Sequence, residues 1–169
     1  MSKPRVVLVG PPGAGKSTIG RRLASALNTT VIDTDQMMEQ EQGKPCGDIY
    51  ADLGEESFRE LEARIVAEAL DHNGVVSLGG GAVVTRSTRE LLDQHEVIWL
   101  DVSAEEGVRR TAGGNRPVLD GDDALARYTE LLDGRREFYR EVASFRARTD
   151  ERTPQQVVAD VLGYLDSEV

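Results

Sequence analysis

Residues 10–17 read Gly-Pro-Pro-Gly-Ala-Gly-Lys-Ser, which has the form G-x-x-x-x-G-K-[ST]. These residue types at this spacing make a cradle for phosphate. Glycines let the backbone turn its N–H groups inward around anionic oxygens, and a helix opening at the end of the loop adds its positive pole. Lys16 is placed to reach the β- and γ-phosphates of a nucleotide. The Ser17 hydroxyl suits Mg²⁺, a hard cation that keeps most of its waters. Such a loop implies a nucleotide such as ATP but does not name the acceptor, because switches, motors and small-molecule kinases share it.

Three further features bear on the acceptor. Asp33-Thr-Asp35 closes the second apolar run of the chain. The carboxyl ends of parallel strands line the ligand crevice, so both carboxylates are expected to face the site. Asp33 suits a water on Mg²⁺; Asp35 could accept a hydrogen bond from an acceptor hydroxyl and orient or deprotonate it. Aspartates are also ordinary turn formers. Gly79-Gly80-Gly81 follows the third apolar run, where it could offer backbone N–H groups to a carboxylate or simply make a tight turn. Arg59, Arg116 and Arg135 could bind carboxylates bidentately or stabilise a transferring phosphoryl group, although each taken singly reads more readily as a surface arginine.

The elements that must position these residues alternate strand, loop and amphipathic helix, the pattern of a parallel sheet covered on both faces. Residues 5–9, Arg-Val-Val-Leu-Val, form a continuous apolar run of the kind found in a buried central strand. A helix is expected from about Ser17 to Leu27, with strands at 30–33, 74–78 and 96–102 and a fifth at 145–149. Phe58, Leu61, Ile65 and Ala69 sit at helical spacing within a predicted helix over 55–70. Ser87 with Glu90 and Ser103 with Glu106 read as capping boxes, and Thr153-Pro154 as an N-cap with a first-turn proline. Residues 112–123 break the pattern with glycines and turn formers, the composition of a lid or binding loop.

The chain carries 30 acidic and 20 basic residues, a net charge of -10, which makes it a poor candidate for binding driven by the phosphate backbone of nucleic acid, and no nucleic-acid partner is expected. No apolar run approaches the ~18 residues of a membrane helix, so no membrane partner is expected. The N-terminal stretch leads straight into a strand without the apolar segment of a signal peptide, so a cytoplasmic location is expected. The one cysteine, Cys46, has no obvious histidine partner and reads as structural. His72 and His95 are too far apart for a metal pair and read as solvated helix ends, while Trp99 reads as core. Nothing suggests an exposed apolar interface, and a monomer is expected.

Taken together, the pieces 10–18, 33–35, Phe58-Arg59, 79–81, Asn115-Arg116-Pro117 and Arg135 with Tyr139 resemble the shikimate kinases in order and spacing. The resemblance spans essentially all of residues 1–169, read as one domain. It implies a three-layer α/β/α fold around a five-stranded parallel sheet in the order 2-3-1-4-5. It also implies transfer of the ATP γ-phosphate to the 3-hydroxyl of shikimate, with Mg²⁺ held by Ser17 and Asp33. On this likeness Gly13, Ala14, Gly15, Lys16, Ser17 and Thr18 hold the nucleotide phosphates, and Arg110 and Arg152 flank the adenine. Asp35 holds the ring hydroxyls, while Arg59, Arg135 and the turn Gly79, Gly80 and Gly81 hold the carboxylate. The substrate-binding region would cover about 33–62. A lid over about 112–124 would bring Arg116 to the phosphates, making Lys16, Asp35 and Arg116 the catalytic set. Tyr50 falls where an aromatic is common near the substrate, and Arg136 directly follows Arg135, so the register there is open by one residue.

Gluconate kinases share the loop but are not expected to combine Asp33-Thr-Asp35 with three glycines at 79–81. Nucleoside-monophosphate kinases carry a base-binding insertion that is not evident here. A GTPase switch would carry N-K-x-D, which is absent from this sequence.

Overall fold

The computed structural model describes residues 3–111 and 123–167. Its elements run β1 (Val6–Val9), α1 (Lys16–Ala26), β2 (Val31–Asp33), α2 (Thr34–Gln42), α3 (Cys46–Ala69), β3 (Val75–Ser77), α4 (Arg86–Leu92), β4 (Val97–Asp101), α5 (Ala104–Thr111), α6 (Ala124–Val142), β5 (Phe145–Arg148) and α7 (Pro154–Ser167). The strands form one sheet ordered β2-β3-β1-β4-β5, parallel throughout, with Val6 opposite Val75 and Val7 opposite Val97. The expected architecture and strand order are therefore present. Among the described residues no helix is long and apolar enough to cross a membrane.

β1 explains why the sheet needs helices on both sides. All four of its residues are buried, and side chains alternate across a strand. Val6 and Leu8 join a core with Ile19, Leu23, Val157 and Val161 from α1 and α7. Val7 and Val9 join the opposite core with Val66, Leu92 and Tyr139 from α3, α4 and α6. α6 serves both cores, placing Tyr128 and Leu132 in the first and Tyr139 and Val142 in the second. Trp99 is 3% exposed in β4 and stacks on Tyr139, its core role as expected.

The segment after β2 is more helical than the pattern predicts. Asp33 caps α2, its Oδ1 accepting from the backbone N–H groups of Asp35 and Gln36 at 2.8 and 3.1 Å. α2 is mostly polar, with only Thr34 and Met38 buried, so it carries little apolar periodicity to read. α3 begins at Cys46 rather than near Glu55, because the chain bends at Gly54 (φ 80°, ψ 167°) and continues as helix on either side. Met38, Ile49, Phe58 and Ile65 then close a small third core between α2 and α3.

The three helix starts behave differently. The predicted box at Ser87 does not form. A 3-10 turn over Ala82–Val84 makes Thr85 the N-cap of α4, which leaves Ser87 inside the helix, and Glu90 pairs with Arg86. Ser103 accepts from Glu106 N–H at 3.2 Å, but the Glu106 carboxylate turns to Arg109, and Ser103 N–H donates to Asp150. At α7 the box is complete: Thr153 Oγ1 accepts from Gln156 N–H and Gln156 Oε1 accepts from Thr153 N–H, at 3.1 and 2.9 Å.

Leu8 is wholly buried in the central strand, and the flanking helices cannot collapse around a shortened side chain. Leu8→Ala should cost about 2–5 kcal/mol, read as a lower urea midpoint; a loss under about 1 kcal/mol would show that the core repacks there.

Candidate active site

The phosphate loop joins β1 to α1. Gly15 stands at the N-cap of α1 in the left-handed region (φ 96°), where a side chain would strain the backbone. No side chain caps this helix and no acidic residue lies in its first turn, so its N–H groups and positive pole face the loop. Lys16 folds back over the loop, its Nζ donating to the carbonyls of Gly10 at 2.5 Å and Pro11 at 3.1 Å. A cavity of about 260 Å³ opens here, bordered by Gly13, Lys16, Ser17, Asp33, Asp35 and Gly80. The two carboxylates predicted from Asp33-Thr-Asp35 thus reach the same space as the loop. A second cavity of about 300 Å³ adjoins it along Gly15 and Thr18 and is bordered by Ala14, Arg110, Arg152 and Pro154. Arg110 is fastened there by bonds to Gly13 O, Thr149 Oγ1 and Thr149 O, and Arg152 pairs with Asp160 at 2.5 Å.

The second wall is the turn at Gly79–Gly81, which follows β3. Thr34 Oγ1 accepts from Gly79 N–H at 3.0 Å, and the Tyr139 hydroxyl donates to Gly80 O at 2.7 Å. The glycines here answer to close approach. A Cβ on Gly79 would lie 2.3 Å from Asp35 Oδ1, and one on Gly81 would lie 2.6 Å from Arg59 Nη1. A Cβ on Gly80 would meet Arg135 Nη1 at 3.4 Å. Asp35, Arg59 and Arg135 therefore converge on one turn. Of the two neighbouring arginines, Arg135 is the one that meets this turn, while Arg136 borders a separate cavity with Asp101 and Arg148. Arg116, and nearly all of the expected lid, lie outside the described residues.

Two residues of this site escaped the sequence reading. Glu62 is 2% exposed and its Oε1 accepts from Arg59 Nη1 at 2.8 Å, fixing the guanidinium beside Gly81; Arg59 Nε is buried with no bond among the described residues. Burial holds the Glu62 carboxyl above the usual range against the opposing pull of Arg59. The only signal was its position three residues after Arg59, one helix turn on. Ser77 is the other. Its hydroxyl is buried and has no hydrogen-bond partner among the described residues, in a cavity that Ser17 and Asp33 also border. A hydroxyl, a carboxylate and an orphaned buried hydroxyl around one small space fit a hydrated Mg²⁺.

Other expectations take their places nearby. Tyr50 is 40% exposed and packs edge-on against Phe58 at 5.2 Å. The Cys46 thiol is pushed up to about 12, first by burial and then by Asp35 and Glu39, which suits a structural cysteine. Burial likewise pushes the Tyr139 phenol up to about 12. His72 approaches the Thr30 carbonyl at 3.2 Å. His95 is half-buried rather than solvated, and burial lowers its pKa.

A strand order of β2-β3-β1-β4-β5 with a phosphate loop leaving the central strand places this molecule in the P-loop class of nucleotide-binding folds. Within that class the chain belongs to the shikimate kinase family, whose family model matches residues 12–166. It is 61% identical to the shikimate kinase of Corynebacterium efficiens over 99% of this chain and 100% of that protein. It is 62% identical to that of Corynebacterium diphtheriae over 98% and 96%. Among solved structures, the shikimate kinase from Acinetobacter baumannii in complex with shikimate superposes with a TM-score of 0.91 at 32% identity, covering 99% of this chain and 95% of that one. A gluconokinase from Sinorhizobium meliloti reaches a TM-score of 0.63 at 18% identity, over 98% of this chain and 92% of that one, and shares the fold alone.

Because the folded-state pKa of Glu62 lies above its ordinary 4.5, the native state retains a proton that the unfolded chain has released. On this account stability falls as pH rises from 4.5 through the folded-state value. Glu62→Gln should flatten that fall, measured as urea midpoints from acid to neutral pH. An unchanged slope would assign it to another group.

Proposed function

We propose that this chain transfers the γ-phosphate of ATP to the 3-hydroxyl of shikimate, giving shikimate 3-phosphate and ADP. The reaction would serve the route through chorismate to the aromatic amino acids, carried out by a monomer in the cytoplasm without nucleic-acid or membrane partners. The observation that carries the reading is the convergence of Asp35, Arg59 and Arg135 on the glycine turn beside the phosphate loop. Shikimate is a small carboxylate bearing several hydroxyls. Recognising it takes guanidinium groups at one end and a hydrogen-bond acceptor at the other.

In this reading Arg59, held by Glu62, and Arg135 clamp the substrate carboxylate with the backbone of Gly79, Gly80 and Gly81. Asp35 accepts from the ring hydroxyls and orients the reacting one, taking up its proton as the new P–O bond forms. Gly13, Ala14, Gly15, Ser17 and Thr18 surround the nucleotide phosphates, and Arg110 and Arg152 flank the adenine. Lys16 exchanges the Gly10 and Pro11 carbonyls for phosphate oxygens. Ser17 and Asp33 would hold Mg²⁺, the second through water; when bound, the ion would supply positive charge against the β- and γ-phosphates. Arg116 adds positive charge from the lid at 112–124. The protein's contribution is positioning and electrostatics.

The test is ADP release from MgATP with shikimate, gluconate, a nucleoside monophosphate or no acceptor. Stimulation by shikimate alone is expected, and stimulation by a different acceptor instead would overturn the substrate assignment. Lys16→Ala should lower turnover by about 10²-fold or more with the fold retained by circular dichroism; near-normal turnover would remove the loop lysine from the mechanism. Asp35→Asn should lower turnover by about 10²- to 10⁴-fold while the KM for ATP stays nearly constant. A raised ATP KM with turnover intact would put Asp35 on the nucleotide side.

A further inference from the structure

A loop that turns its N–H groups toward an anion must turn its carbonyls away, and each of those needs a donor. Four consecutive carbonyls of the phosphate loop have one. Lys16 Nζ serves Gly10 and Pro11, the Tyr128 hydroxyl donates to Pro12 at 2.5 Å, and Arg110 donates to Gly13 at 3.2 Å. These donors differ in how they fare when phosphate arrives. Lys16 is drawn toward the new charge, and Arg110 divides its guanidinium between Gly13 and Thr149. The Tyr128 hydroxyl is neutral and wholly buried, and it comes from α6, on the far side of the 112–122 segment from α5.

The surroundings of Tyr128 are shaped around its polar end. A Cβ on Gly107 of α5 would lie 2.2 Å from Tyr128 Cζ and 2.4 Å from its hydroxyl oxygen. The glycine therefore clears room for the ring edge and the hydroxyl alike, on the path by which the phenol reaches the Pro12 carbonyl. On this ground we propose that Tyr128 is a positioning residue for the phosphate loop: it holds the Pro12 carbonyl outward so that the loop keeps its anion-binding shape when Lys16 lets go. The inference rests on the nucleotide reading above and adds to it a residue 116 positions away from the loop it shapes.

Tyr128→Phe keeps the ring and removes the hydroxyl that donates to Pro12. Tyr164→Phe is the control, since the Tyr164 hydroxyl donates to Glu96, which is not among the residues that border the nucleotide cavities. For Tyr128→Phe the KM for MgATP should rise about two- to tenfold, the size of one lost neutral hydrogen bond. The rise in melting temperature on adding ADP should shrink. The shikimate KM at saturating ATP should stay at the wild-type value, and the nucleotide-free melting temperature should fall no further than in Tyr164→Phe. If Tyr128→Phe matches Tyr164→Phe in both ATP KM and ADP stabilisation, the hydroxyl is merely structural and the proposal fails. A wild-type protein that ADP does not stabilise would instead overturn the nucleotide reading itself.

Discussion

The parallel pairing of β1 with β3 is the constraint on which the rest of the site depends. Leu8 lies opposite Ser77 in that ladder, so the two strands end side by side and their loops begin at the same level. One loop is the phosphate cradle and the other is the glycine turn at 79–81. They lie so close that a Cβ on Gly80 would meet Pro12 Cδ at 3.4 Å and Gly10 O at 3.5 Å. In the proposed reaction these are the donor half and the acceptor half of the site, and the β1–β3 ladder sets them side by side. Inserting another strand between β1 and β3 would move them about 4.8 Å further apart, roughly doubling their separation.

Charge is arranged on this frame against the overall balance of the chain. With 30 acidic residues against 20 basic, many arginines are occupied by carboxylates on exposed helix faces, such as Arg64 with Glu68 and Arg86 with Glu90. Pairs like these contribute little to stability in water. Arg59 is different because its partner Glu62 is buried. The cost of desolvating that carboxylate, visible in its raised pKa, is partly offset by the hydrogen bond and charge of Arg59, and the pair fixes the guanidinium in one orientation. Holding Arg59 rigid reduces the entropy lost when an anion binds.

What could be read from the sequence was what local geometry demands. The phosphate loop needs glycines within eight residues, and Asp33 and Asp35 follow a strand whose carboxyl end must face the crevice, so both were legible. Strand positions and sheet class followed from apolar runs, since a strand buried on both faces tolerates little else. Residues whose meaning lies in distant partners were not legible. Arg59-x-x-Glu62 has the same spacing as the exposed pair Glu137 and Arg140, with the charges in the opposite order, and it is burial that sets it apart. Ser77 looks like any strand serine until Ser17 and Asp33 are brought beside it. α2 escaped notice because it packs with two residues, and the box at Ser87 failed because a 3-10 turn started α4 earlier than the caps suggest.

α6 joins both halves of the site through two hydroxyls, Tyr128 to Pro12 and Tyr139 to Gly80. Eleven residues separate them, close to three full turns and about 16 Å along the axis, so both phenols leave the same side of one rod. The helix works as a ruler whose two marks must fall on two backbone oxygens at once. Adding or removing one residue between the marks would swing one phenol about 100° away from its carbonyl. Length changes in this chain should therefore collect in its loops, and the stretch from Tyr128 to Tyr139 should keep its count.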